Sequence, residues 1–405
     1  MPPVRVSSLD HARLPRLRIV KRLALVLTGG GARAAYQAGA IRALAELWPH
    51  KQSPFQVLTG LSAGSINACQ LAHYADDFQT GAERLWTLWN TLTIDKVFRS
   101  DNLSVLGNTA SVLRGLLSGG MLPRTASSHL LDNSPLRKLV DDNVDFERVH
   151  SHVLEGRLQA FAVTATNYHT GCAVTFFDAE PGRKEWVRNN HLGWRQPLRT
   201  DHIIASGALP VFFPPTQLDG GAFYGDGTLR LLSPLSPALH MGATALMAIG
   251  TRKPPDPARL EDQNRKPGRD ISFADVAGVV LNAMFLDTLE SDLDRLRRFN
   301  RALHGMDPDR RDALQPSWRL VEAEAVEPTR DLGLIAGGQS ERYPTALRHL
   351  LRGLGVGKRR GSDVSSYLSF DRHYTGKALR IGYSDVMDRR DALRHFMLSH
   401  SGAQP

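Results

Sequence analysis

Gly60-Leu61-Ser62-Ala63-Gly64 has the G-x-S-x-G spacing of a nucleophile elbow. A serine that attacks a carbonyl needs a tight strand-to-helix turn, with glycines on both sides so that its hydroxyl stays uncovered. The setting fits: "FQVLT" (55–59) reads as a strand and "SINACQLAHYA" (65–75) as a helix. The alternative is an ordinary strand–helix turn. A second glycine loop, Gly29-Gly30-Gly31-Ala32-Arg33-Ala34, also joins a strand to a helix. Successive glycine N–H groups at a helix start form a positively polarised nest suited to a developing alkoxide, and Arg33 adds charge nearby. Gly29, Gly30, Gly31 and Arg33 are therefore candidate oxyanion-hole residues. A dinucleotide loop would need an acid at the end of the second strand, where "TGLSAG" stands instead. A plain tight turn is the remaining reading.

A nucleophilic serine needs a base. "TQLDGGAFYGDGTLR" (216–230) displays two aspartates, each before a glycine. Asp219-Gly220 between two short strand-like runs is a hairpin-turn signal, which gives Asp219 a sufficient structural role. Asp226 lies seven residues on, roughly 20 Å along an extended strand, so only one of the two can reach Ser62. The hairpin tip projects away and the strand end returns to the sheet, which favours Asp226. Of the 15 histidines, His240 is the nearest after this pair. Its place at a helix end before Gly242 suits a structural cation against the helix dipole better than a triad member. Cys69 and Cys172, the only two cysteines, have no motif spacing. No disulfide framework, metal site or cofactor is expected, and a reducing, cytoplasmic setting is the default.

The elements that must position these residues follow an alternating order. "LALVL" (23–27) is a continuous apolar run, as in a strand buried on both faces, and "AAYQAGAIRALAEL" (34–47) follows as a helix whose small residues allow close approach to a sheet. With the next strand, elbow and helix, this order predicts parallel strands with right-handed crossovers. Residues 76–157 lack clear strands. "LQAFAVTATN" and "CAVTFFDAE" read as two strands joined at "YHTG", and "TALMAIG" (244–250) as another. A basic leader (1–22) precedes the first strand, and a charged, proline-rich loop or linker spans 251–270. Beyond it lie a long helical pattern starting at "FADVAGVV", a strand in "WRLVEAEAV" and further helices.

The 405 residues, 42% of them hydrophobic, suffice for a large core; the net charge of +9 favours anionic partners. No secretory h-region and no run of about 18 apolar residues is present. Nothing marks a nucleic-acid reader. "ALRHLLRGLGVGKRRG" (346–361) sets leucines beside arginines and lysines, so peripheral contact with an anionic membrane is one expectation for it; a core helix followed by a basic loop is the other.

Taken in order, "LTGGGARAAYQAGAIRAL", "GLSAG", "ASGALPVFFPP" and "GDGT" resemble the patatin-like phospholipases, over residues 23–250. The resemblance implies an α/β three-layer sandwich with a mostly parallel central sheet; beyond its reach, the helical patterns after 270 lead us to expect a mainly helical C-terminal region (271–405) packed on the catalytic domain. It implies lipid acyl hydrolysis by a serine–aspartate dyad, with Ser62 as nucleophile, Asp226 as base, and no histidine or metal. Three positions depart from the family's usual pattern: Ala34 for glycine, Thr228 for glycine or alanine, and Leu231-Leu232 for asparagine before the proline. The expected substrate is a fatty-acyl ester, a phospholipid or lysophospholipid. An acyltransferase using the same serine ester, and a non-catalytic lipid-binding protein, are the competing readings. Head group, chain length and oligomeric state lie beyond what these motifs specify.

Overall fold

A computed structural model describes residues 21–117, 129–265, 288–314, 318–336, 343–345, 347–349 and 362–402, with 271, 276 and 279. The chain begins with β1 (Leu23–Leu27), α1 (Ala35–Leu47), β2 (Val57–Leu61), α2 (Ala63–His73) and α3 (Phe78–Thr91). Helices α4 (Asn102–Leu117), α5 (Ser134–Asn143) and α6 (Phe146–Leu154) lead to β3 (Ala160–Asn167) and β4 (Ala173–Ala179). Then come β5 (Trp186–Arg188), β6 (His191–Arg195), α7 (Thr200–Ser206), β7 (Thr216–Gln217), β8 (Phe223–Asp226), α8 (Ser236–His240) and β9 (Ala245–Ile249). The remainder contributes α9 (Pro257–Arg265), α10 (Thr288–His304), α11 (Pro308–Ala313), β10 (Glu322–Val326), α12 (Leu332–Ile335), α13 (Ser362–Leu368), α14 (Arg372–Met387) and α15 (Arg390–His400).

The strands form one sheet in the order β10-β9-β1-β2-β3-β4-β6-β5, with β7 and β8 joined to β3. From β10 to β3 every neighbour is parallel. β1 has both faces covered, as its unbroken apolar run requires. Leu23, Leu25 and Leu27 face a core built with α1, α2, α3 and α14. Ala24 and Val26 face a second core with α8 and with Leu289 and Leu293 of α10. The protein is thus a sheet between two helical layers. The first helical layer is closed by α14, which lies on α1 at a contact of small residues. A side chain at Gly39 would overlap the backbone of Leu379, and one at Gly382 the backbone of Tyr36.

Two sequence expectations are revised, and one pair of strands is new. The 251–270 stretch is not all loop: α9 forms within it, started by Asp256, whose carboxylate accepts from the Ala258 N–H, and by a proline in the first helical position. β5 and β6 form an antiparallel pair at the far edge that no alternation announces. His240 is not a charged helix cap. Its ring stacks on Trp186 at 4.3 Å and burial pushes its pKa down to about 4, so it is a neutral packing residue. Residues 1–20 of the expected leader lie outside the described residues, and Lys21 and Arg22 are tied down, to the Ser399 carbonyl and to Glu180. Most of the expected interfacial segment 346–361 also lies outside them; Leu347 within it is buried in the larger core. Among the described residues no helix is long and apolar enough to cross a membrane.

Candidate active site

The register of β3 decides what meets what. β2 runs parallel to β3 and ends with Leu61 opposite Thr164. β8 runs antiparallel to β3 and ends with Asp226 opposite Ala165. Since β4 fills the other edge of β3 over the same span, β8 occupies the edge that β2 vacates. The two strands therefore meet head to head, and the residues at their ends, Ser62 and Asp226, are brought together. Asp219, at the hairpin turn between β7 and β8, is kept away: it is exposed and pairs with Arg199 at 2.7 Å.

Ser62 sits between β2 and α2 with φ +52°, ψ −130°, a strained conformation for a residue with a side chain, typically costing about 1–3 kcal/mol. The surroundings enforce it. A Cβ on Gly60 would overlap the Ser65 backbone, and one on Gly64 the carbonyl oxygens of Leu27 and Thr28, so both elbow glycines are required by close backbone approach. The Ser62 carbonyl accepts from the Ser65 N–H (2.9 Å) and hydroxyl (2.6 Å). Its own N–H donates to Ser206 Oγ at 3.0 Å, and that hydroxyl donates onward to the Thr164 carbonyl at 2.7 Å. Ser206 was visible in sequence only as one letter of "ASGALP"; its role in clamping the elbow depends on α7 crossing behind β3 and has no local signature.

The Ser62 hydroxyl donates to Asp226 Oδ2 at 2.6 Å. The other carboxylate oxygen accepts from the Thr228 N–H (2.9 Å) and the Thr228 hydroxyl (2.7 Å). Asp226 is fully buried. Desolvation pushes its pKa up to about 6, against the opposing pull of the donors from Ser62 and Thr228. Thr228, one of the departures from the family's usual motif, thus supplies a donor that glycine or alanine lacks. The carboxylate also raises the nearby Tyr168 phenol, already lifted by burial, to about 12.

Of the glycine loop, Gly31 lines the same cavity as Ser62. It has φ +55°, and a Cβ there would overlap the Tyr367 carbonyl oxygen. The Gly29 carbonyl accepts from Thr251 Oγ1 at 2.6 Å, and a side chain at Gly30 would overlap Thr251. Gln37 Nε2 donates to the carbonyls of Thr28 and Ile249, both at 2.9 Å, which fixes the loop to β9. Arg33 does not line the cavity. It is buried, donates from Nε to Ser366 Oγ at 2.6 Å, and lies with its guanidinium 4.7 Å above the Tyr367 ring.

The cavity at Ser62 is apolar: Ile66, Leu88, Trp89, Leu136, Phe213 and Phe370 are among its walls. It encloses about 590 Å³ with its open mouth and is a narrow slot. Among the described residues no group of three or more His, Cys, Asp and Glu could hold a metal ion. A serine that lines an apolar slot and is hydrogen-bonded to a buried carboxylate can carry out acyl transfer on an ester with a long apolar chain.

Residues 25–239, more than half of the chain, match the family model described as patatin-like phospholipase. The chain belongs to this family. Among solved structures it is similar to VipD from Legionella pneumophila, with 12% identity, 92% of this chain and 67% of that one covered, and a TM-score of 0.35. It is also similar to human GIVD cytosolic phospholipase A2, with 13% identity, a TM-score of 0.41 and 94% of this chain covered; the chain spans 59% of that enzyme's length. A sequence comparison with curated proteins finds no match. Membership of the patatin-like phospholipases supports lipid acyl hydrolase activity.

Proposed function

We propose that the protein is a serine lipid acyl hydrolase of the phospholipase A or lysophospholipase type, cleaving fatty-acyl esters with a Ser62–Asp226 dyad. The single observation that carries this reading is the 2.6 Å hydrogen bond to a buried carboxylate from the hydroxyl of Ser62, which lines an apolar slot. As Ser62 Oγ attacks the ester carbonyl, Asp226 Oδ2 takes its proton. The N–H groups of the Gly29–Gly31 loop, at the start of α1, stabilise the oxyanion. Collapse of the tetrahedral intermediate expels the alcohol, which takes the proton from Asp226 and leaves the acyl group on Ser62. Water then attacks, Asp226 accepts its proton, and the fatty acid departs as Ser62 Oγ is reprotonated. A carboxylate at about 6 is largely ionised at neutral pH and a stronger base than an ordinary one.

A fluorophosphonate probe is expected to label the wild type and not Ser62→Ala, and a panel of phospholipid and lysophospholipid esters to be turned over by the wild type alone. Labelling of Ser62→Ala equal to wild type would refute the assignment. Transfer of the acyl group to an added alcohol in preference to water would favour the acyltransferase.

A further inference from the structure

The matched region stops at 239, yet the wall facing Ser62 is completed by residues more than a hundred positions later. Tyr367, Leu368 and Phe370 line the slot together with Ser62, Gly31 and Trp89. The segment runs along the slot from the glycine loop, where the Tyr367 backbone abuts Gly31, to a cluster of rings. There Phe370 stacks on Trp89 at 6.3 Å and meets Phe98 edge-on at 6.3 Å, and Phe98 in turn contacts Phe213.

This wall is held at several points. Arg33 binds Ser366 and covers the Tyr367 ring. The Tyr343 hydroxyl donates to the Ser365 carbonyl at 2.9 Å and lies 2.7 Å from Ser369 Oγ. The Asp371 carboxylate accepts from the His373 N–H at 2.7 Å, starting α14 directly behind. A chain segment fixed by buried hydrogen bonds at Ser365, Ser366 and Ser369, before and among its cavity-lining residues, resists drifting away to admit a larger guest.

We infer that residues 367–370 set the length of acyl chain that the site accepts, with Phe370 closing the slot at the end away from Gly31. The inference rests on the hydrolase reading of the same site. In so narrow a space each wall atom meets the chain, and one methylene gained or lost in an apolar pocket is worth about 10–200-fold in discrimination. Replacing the Phe370 ring by a smaller group therefore opens room for several more methylenes, and a larger ring removes it.

The test is kcat/KM for a series of p-nitrophenyl esters from four to sixteen carbons with the full chain. Phe370→Ala should move the optimum at least two carbons longer, and Phe370→Trp at least two shorter, changing the ratio of a long to a short ester about tenfold or more. Should Phe370→Ala fail to fold, Phe370→Leu is expected to shift the optimum in the same direction. An optimum that stays in place in Phe370→Leu and Phe370→Trp, with Ser62 still labelled by the fluorophosphonate, would overturn this inference and leave the hydrolase assignment standing. Absence of ester turnover and of labelling in the wild type would instead remove the hydrolase reading, and this one with it.

Discussion

At the scale of single residues, Asp226 combines a catalytic assignment with a cost. A folded-state pKa of about 6 lies above the ordinary carboxylate value, so the folded protein holds this proton more tightly than the unfolded chain. The stability that goes with it is fully present below about pH 4 and lost as pH rises through 6. Above that, the buried anion costs on the order of 2–3 kcal/mol. Asp226→Asn should therefore lose about 10²–10⁴-fold in turnover, yet gain stability over wild type in denaturant titrations at pH 8, with the gain shrinking towards pH 4. A wild-type kcat/KM profile should rise through a single limb near pH 6. Thr228 can be separated from the chemistry by the same profile. Thr228→Val removes a donor that favours the anion, so the limb should move upward by about one pH unit, and activity should fall more at pH 6 than at pH 8. Asp219→Asn, at an exposed turn, should change turnover less than about twofold, because its ion pair with Arg199 lies at the surface.

At the scale of elements, β1, β2, β3, β4 and β9 were legible because strands buried on both faces are short, largely apolar runs and each was bounded by glycine or turn residues. The hairpin of β7 and β8 was legible from Asp-Gly. β5 and β6 were not: their turn is Asn189-Asn190, with Asn189 at φ +48° and no glycine, and their side chains are largely exposed, so neither alternation nor a turn dipeptide marked them. α9 carried a readable start in Asp256-Pro257, hidden by the charge and proline content around it. Of the candidate site, Ser62, Asp226 and the elbow glycines could be found locally. Arg33 could be found but not its partners, since Ser366 lies 333 residues away. Alanine cannot probe the glycine loop cleanly: at Gly31 a methyl would displace the Tyr367 carbonyl as well as disturb a donor. Gly64→Ala tests the elbow instead, and should lower the unfolding free energy by at least about 2 kcal/mol in urea titrations, because the methyl is driven into two backbone carbonyls.

At the scale of the whole molecule, the two ends of the described chain close on each other. The Tyr36 hydroxyl donates to Asp385 at 3.0 Å across 349 residues, α14 covers α1, and β10 extends the sheet beside β9. A chain shortened to end before Ser362 keeps both residues of the proposed dyad but bares the apolar face of α1. It should be recovered as aggregate, and any soluble fraction should fail to react with a fluorophosphonate. Such long-range closure also predicts slow folding, because loop entropy must be spent before these contacts form.

The wall at 366–370 has a consequence for how the protein is made. Translation delivers Ser62, the proposed nucleophile, first, the proposed base Asp226 some way later, and Ser366, Tyr367 and Phe370 after both. A growing chain therefore carries reactive groups long before it has a pocket in which an acyl chain could be held against them. On the proposed function, synthesis interrupted before Ser366 leaves fragments without that pocket, and competence for acyl transfer waits until residues 366–370 have been made.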